Sequence, residues 1–328
     1  MDDRYAYMLN TLWAKYYDLG RIIRFRSVSR GRQAVCYEVL TAEQHEYLAH
    51  IFPPAFDPAQ LTRMCQAINI LDKERFSVVP MMPAQQGAWV VGGPQGTWLA
   101  VGLATNGQYL LPDQCSIHDL SQLGLRLAWL HRLLAEQLAP PPDAAPLADA
   151  LQSALQRATQ RRPLPLDPAD VSHLQQSLQP PLPESQPSAV SGLSAFSVQR
   201  SSFPGWVHGD LQPAAILMDE DHQIRTIVDW GLLHPGDPLE DVIDAFIHWC
   251  LGSDGVVHAE KGRALLEAYR SLRPAAAQAQ RWESAVTSWC AQRIIDAAHE
   301  RRPLPRGFTT YLRTPASLAS ALELCETK

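Results

Sequence analysis

The sequence predicts an α+β chain in which a small antiparallel sheet comes first and a larger helical region follows. Three observations predict it. Short runs of β-branched and aromatic residues, punctuated by Gly and Pro, occupy the N-terminal part. From Ser116 the apolar residues switch to three- and four-residue spacing. A stretch rich in Pro, Gln, Ser and Ala then interrupts the helical part, with room for two short helices of its own.

Taken in order, residues 5–19 carry Leu9, Leu12, Trp13, Tyr16 and Tyr17 at amphipathic-helix spacing. Residues 22–28 and 34–40 read as two strands of a hairpin, with SRGRQ and its Gly31 as the turn. EYLAHIF, residues 46–52, is a third strand, closed by Pro53 and Pro54, and residues 58–71 resume helical spacing. GAWVV and GTWLAVGLA are two further strands divided by the turn at 92–94. HDLSQLGLRLAWLHRLLAEQL is a core helix ended by the prolines at 140–142, since proline cannot continue the hydrogen-bond ladder. Two more helices are expected at 147–160 and 168–179, and PPLPESQPSAVSG is a connector. Beyond Pro238 the chain runs as helices, including 278–301. The reading is therefore two lobes, residues 1–105 rich in sheet and residues 106–328 rich in helix, with residues 139–204 an insertion in the second.

The bulk numbers bound the function. At 328 residues, with 46% hydrophobic and 19% charged side chains, the chain can bury a large core without a metal or disulfide staple. A net charge of -6 supplies no general attraction to nucleic acid or an anionic membrane, and neither is an expected partner. The six cysteines form no C-x-x-C pair and are expected to be buried, reduced thiols. An acidic start without a basic region and apolar run predicts no secretory signal, no apolar run approaches a membrane span, and the cytoplasm is the expected compartment. The four lysines are Lys15, Lys73, Lys261 and Lys328, none of them in a predicted strand.

The chemistry concentrates in WVHGDLQPAAILMDEDHQIRTIVDWGLLHPGDPLEDVIDAF, residues 206–246. Asp210 follows the short apolar entry Trp206-Val207, and Asp229 closes the apolar run Ile227-Val228. Residues 215–218 and 224–228 read as a hairpin with DEDHQ as its turn, which brings both aspartates to one side of a cleft. Paired carboxylates so placed suit phosphoryl transfer, one holding a divalent cation on nucleotide phosphates and the other orienting the acceptor hydroxyl. His208 reads as a hydrogen-bonded turn histidine, His131 and His248 as core or boundary residues, and the tryptophans as core.

H-G-D alone occurs in many chains; H-G-D, D-W-G and G-D-P-x-x-D in this order rarely do. The segment resembles the H-G-D-x-x-x-x-N and D-x-G signatures of the aminoglycoside phosphotransferase and choline kinase-like family, with degenerate nucleotide-site motifs. FRSVSRGRQAVCYEV also resembles that family's glycine-loop hairpin, and LGLRLAWLHRLL its first large-lobe helix. The resemblance implies a two-lobed protein-kinase-like fold, with residues 1–105 on the nucleotide side. It implies Asp210 as catalytic base, Asp229 as the metal-binding residue, and Asp241 as a buttress of the lobe. It implies ATP and Mg²⁺ as cofactors and a small-molecule acceptor as the second substrate.

Three positions depart from that family. Ala215 stands where the metal-binding asparagine is expected, and His50 where a strand lysine reaches the nucleotide phosphates. The following helix offers only Gln66 where a glutamate would fix that lysine. Arg30 and Arg32, flanking Gly31, can take over phosphate contacts in the covering loop, or form a solvated face. Two functions follow as expectations. One is transfer of a phosphoryl group from ATP to a small-molecule hydroxyl or amine, with weak or lost activity. The other is a catalytically inactive, pseudokinase-like binding or scaffold module with a protein partner.

Overall fold

The computed structural model describes residues 3–28, 34–139, 147–161, 166–178, 205–252, 256–272 and 279–299, with scattered positions between 304 and 325. Arg30, Gly31 and Arg32 lie outside the described residues, as does all of 179–204.

Helix α1 (Asp3–Tyr16) is followed by β1 (Ile22–Val28), β2 (Val35–Thr41) and β3 (Glu46–Phe52), then by helix α2 (Pro58–Lys73). Asp57 caps α2, its carboxylate accepting the Ala59 N–H at 3.1 Å, and Pro58 takes the first turn, where its missing N–H costs nothing. Strands β4 (Met81–Met82), β5 (Val91–Gly92) and β6 (Trp98–Leu103) complete a sheet ordered β1-β2-β3-β6-β4, with β5 also on β6. Every pairing in it is antiparallel.

Strand alternation gives this sheet two different faces. Tyr47, Ala49 and Ile51 of β3 pack with Leu9, Leu12 and Trp13 of α1 in a cluster that also takes Tyr37, Val39, Leu99 and Val101. The Trp13 indole N–H donates to the Gly20 carbonyl at 2.9 Å, which ties the end of α1 to the first strand. Leu48, His50 and Phe52 point the other way, toward the second lobe.

Strand β7 (Gln108–Tyr109) leads into α3 (Ile117–Gln137), whose start is a reciprocal capping box between Ser116 and Asp119. Helices α4 (Leu147–Arg161) and α5 (Pro168–Ser177) come next. Strand β8 (Trp206–Val207) follows, then the hairpin β9 (Ile216–Met218) and β10 (Ile224–Ile227), and then β11 (His234–Pro235). The hairpin turn is built on Asp219, whose Oδ1 accepts from the N–H groups of Asp221 at 3.0 Å and Gln223 at 2.8 Å. β9 also pairs with β7, and β8 with β11. Helices α6 (Leu239–Trp249), α7 (Ala259–Leu272) and α8 (Ala279–Ala298) complete the lobe. Its core joins α3, α6, α7 and α8 around Leu127, Phe246, Leu265, Trp282 and Trp289, and extends to Leu61, Met64 and Leu71 of α2.

All six cysteines are buried free thiols, and burial pushes Cys65 and Cys115 up to about 12, which leaves them protonated and unreactive near neutrality. Among the described residues no helix is long and apolar enough to cross a membrane.

Helices α3 and α7 approach most closely at Gly124. A Cβ there would lie 2.3 Å from the Leu265 carbonyl oxygen and 2.9 Å from Ala268 Cβ. Gly124→Ala, which raises intrinsic helix propensity, is therefore expected to destabilise the protein, by about 1–3 kcal/mol. A lower urea midpoint for the variant is the predicted result, and an unchanged or higher midpoint would contradict the close approach.

Candidate active site

The segment after β8 turns back on itself because Gly209 adopts φ +82°. A side chain is also excluded there, since a Cβ would lie 2.6 Å from the Leu232 carbonyl oxygen and 2.9 Å from the His234 ring. One carboxylate holds the turn. Asp241, on the first turn of α6, accepts the His208 N–H at 2.8 Å through Oδ2 and the Gly209 N–H at 3.0 Å through Oδ1. His131 of α3 donates from Nε2 to the same Oδ2 at 3.0 Å, while its Nδ1 accepts the Tyr269 hydroxyl at 3.0 Å. Burial alone would raise the Asp241 carboxyl. The hydrogen bonds from the His131 ring and the Gly209 N–H outweigh it and hold the group below the usual carboxylate range.

His208 is fully buried, with both ring nitrogens engaged by backbone. Nδ1 accepts the Asp210 N–H at 3.2 Å, and Nε2 donates to the Val228 carbonyl at 2.8 Å. Desolvation pushes its pKa down, so the ring is neutral and serves as a brace between two loops. A second tie runs from the Val228 N–H to the Ala215 carbonyl at 2.9 Å. The segments carrying Asp210 and Asp229 are thus stitched together immediately beside both residues. Asp210 is buried, and its Oδ2 accepts from the Gln212 amide at 3.1 Å.

Asp229 stands at φ 65° and ψ 47°, in the left-handed region that few residues other than glycine occupy and that concentrates at functional sites. It lines a cleft between the lobes together with His50, Phe52, Met64, Ile68, Met81, Leu103, Thr105 and Val228. The walls are apolar, as suits a flat heteroaromatic ring, and His50 and Asp229 are the titratable groups among the lining residues. Strand parity is what turns His50 into the cleft. It pairs with Cys36 on β2 and Ala100 on β6, with its Nδ1 3.4 Å from the Cys36 thiol.

The sequence reading of Gln66 needs correction. Gln66 is exposed, and the α2 residues on the cleft are Met64 and Ile68. Two positions along an α-helix turn the side chain by about 200°, so Gln66 points away from the face that Met64 presents. Helix α2 instead contacts the loop after Asp229 through Gln60, whose amide donates to the Leu233 carbonyl at 3.2 Å and the Gly231 carbonyl at 3.4 Å.

Ala215 is fully buried and offers no oxygen. Among the described residues no cluster of three or more His, Cys, Asp or Glu could hold a metal ion. The donor set still fits a Mg²⁺ held chiefly by nucleotide phosphates and water, with Asp229 as the protein carboxylate, because Mg²⁺ commonly uses one or two carboxylates beside phosphate oxygens. It does not fit a second ion on residue 215.

Of the residues singled out from sequence, His50 and Asp229 line the cleft, Asp210 is buried on the adjoining loop and not among the lining residues, and Asp241 holds that loop from α6. Sequence reasoning passed over His131 as plain core, and it did not single out Gln60, Gln212 or Arg293. A histidine and an arginine isolated in apolar helices were the available signal. Their hydrogen-bond partners Asp241 and Gly209 lie 110 and 84 positions away in the chain, beyond any local pattern.

Comparison with known proteins is consistent with this geometry. Residues 24–275 match the phosphotransferase enzyme family. The homoserine kinase of Pseudomonas aeruginosa is 30% identical over 122 residues, 35% of this chain and 38% of that enzyme, so the match spans well under half of the relative's length. An amicoumacin kinase solved with AMP-PNP, Ca²⁺ and Ami superimposes with a TM-score of 0.60 at 13% identity, covering 98% of this chain and 93% of the other. A Plasmodium vivax ethanolamine kinase does so with a TM-score of 0.61 at 13% identity, covering 97% and 89%. These structural likenesses establish the two-lobed kinase-like fold expected from the sequence.

Asp241→Asn would set an amide against two backbone N–H donors and remove the charge facing His131. A loss of about 3–5 kcal/mol is expected at pH 7, read as a lower urea midpoint. Because the folded-state pKa of Asp241 is depressed, its stabilisation is present above the unfolded value of about 4 and is lost as pH falls through the lower folded value. The gap between wild type and variant should therefore narrow below about pH 4, and a gap independent of pH would contradict the assignment.

Proposed function

Since the chain belongs to the phosphotransferase enzyme family, we propose that it binds ATP in the interlobe cleft and transfers the terminal phosphoryl group, slowly, to the hydroxyl of a small amine-bearing acceptor. The observation that carries the reading is the stitched pair of loops that bear Asp210 and Asp229. Asp210 orients the acceptor hydroxyl and takes up its proton as the new O–P bond forms, with Gln212 fixing the carboxylate from the side. Asp229 would hold a Mg²⁺, which when bound neutralises phosphate charge. The apolar walls at Met64, Ile68 and Met81 receive the base. Arg30, Gly31 and Arg32 would cover the phosphates. The amine-bearing acceptor rests on the homoserine and ethanolamine kinases among the relatives, both named for amino alcohols.

The slow rate follows from chemistry at two positions. A lysine would meet phosphate with a long-reaching ammonium charge, whereas histidine offers a shorter imidazole. An asparagine at 215 would supply an oxygen that alanine lacks. Each missing electrostatic contact in a transfer site costs about a hundredfold in rate. These replacements also favour a second reading, a binding module of the same fold that holds nucleotide or a protein partner without turnover.

Calorimetric titration with ATP, with and without Mg²⁺, is the first test. Magnesium-dependent binding that Asp229→Ala abolishes is expected, and absence of any nucleotide binding would overturn the proposal. With homoserine or ethanolamine as acceptor, Asp210→Asn should reduce ADP formation about a hundredfold or more. Binding without acceptor-dependent turnover in wild type would decide for the second reading. His50→Lys should strengthen ATP binding about tenfold at pH 8, and unchanged affinity would contradict a position of residue 50 at the phosphates.

A further inference from the structure

Helix α8 carries a cation into the polar base of the second lobe. Arg293 is 1% exposed, and its neighbours Trp289, Cys290, Ala291 and Ile294 are buried apolar residues. An isolated guanidinium in such a place is costly unless charge and hydrogen bonding compensate it. Compensation comes from three elements. Asp244 on α6 lies 3.9 Å from Nη1, and Asp296 on α8 lies 3.8 Å from Nη2. Both are charge contacts longer than a hydrogen bond. The short contact goes elsewhere, since Nη2 donates to the carbonyl of Gly209 at 2.8 Å.

That destination is informative. The N–H of Gly209 is held by Asp241 and its carbonyl by Arg293, so the glycine immediately before Asp210 is gripped on both sides of its backbone. A counterion that only balanced Asp244 and Asp296 would need no contact with the loop. Burial alone would lower the Arg293 pKa, and the charges of Asp244, Asp296, Asp210 and Glu240 reverse this and raise it. The coupling to Asp210 is reciprocal, so the guanidinium favours the ionised form of that carboxylate in turn. The carboxylates Asp244 and Glu240, both on α6, are pushed up by burial and are partly offset by Arg293, and His234 stands 3.5 Å from Glu240.

We propose that Arg293 is a positioning residue for the reaction, pinning the Gly209 carbonyl so that the Asp210 side chain is held in place at the acceptor side of the cleft. The role acts through the loop, and it rests on the reading of Asp210 as the acceptor-side base.

The test uses the full chain with Arg293→Met, which keeps volume and removes charge, and Arg293→Lys, which keeps charge and loses the planar fork. Amide hydrogen exchange is followed at residues 208–211 and, as a control, in α3. At least tenfold faster exchange confined to the loop in Arg293→Met is expected, and unchanged loop exchange overturns the proposal. In the transfer assay the Met variant should lose about tenfold or more in kcat, with the ATP Kd within about twofold of wild type. The acidic limb of its kcat/KM profile should move up by about one pH unit, a change that a merely structural role would not produce, whereas Arg293→Lys should keep the wild-type limb. A folded Met variant with wild-type kcat and acidic limb also overturns the proposal. Should Arg293→Met fail to fold, loop exchange in Arg293→Lys decides, faster exchange supporting the proposal and unchanged exchange ending it. A wild-type protein without transfer activity refutes the assigned reaction, and loop exchange then still judges the grip of Arg293 on Gly209.

Discussion

The arrangement depends on one buried carboxylate. Asp241 accepts two successive backbone N–H groups and the His131 imidazole, and so converts a tight glycine turn into a fixed one. Without a charged acceptor, those donors would be buried and unsatisfied where water does not reach. Three distant parts of the chain meet at this group: α3 through His131, the loop after β8 and the first turn of α6. Its position at the start of α6 adds the favourable end of that helix's dipole to the hydrogen bonds.

From that anchor the geometry propagates outward. A held His208 reaches Val228, a held Val228 reaches Ala215, and the short hairpin of β9 and β10 has little freedom left. Asp229 then enters the left-handed region at the mouth of the cleft. The other lobe meets this loop through Gln60 of α2, which addresses two carbonyls just past Asp229. Neutral hydrogen bonds therefore join α2 to the loop that follows Asp229. The apolar pair Met64 and Ile68 fits this arrangement, because a carboxylate there with no lysine partner would be poorly compensated.

The polar floor beneath the loop concentrates charge. Asp244, Asp296, Glu240 and Asp210 surround a single guanidinium, with His234 at the edge. Such a cluster is costly to bury and contributes little net stability, so a role in orientation accounts for it better than stability does. Trp289 shows the same economy, its indole N–H donating to Asp244 at 2.7 Å so that one carboxylate serves two elements of the core.

What the amino-acid sequence determined by itself is the order of elements and the chemistry of the second lobe's loops. Alternation of apolar residues marks β3, three- and four-residue spacing marks α3, and the HGD, DWG and GDP segments each lie within a few consecutive residues. Local backbone preference and short-range spacing are enough to read these. Only the tertiary structure decided which side chains share the site. The parity of β3 turns His50 into the cleft, and the rotation of α2 removes Gln66 from it in favour of Met64. Folding brings His131 against Asp241, 110 residues away along the chain, and Arg293 against Gly209, 84 residues away. Contacts of that range are selected by how helices and sheet pack around a common core, and packing leaves no periodic trace in the chain itself.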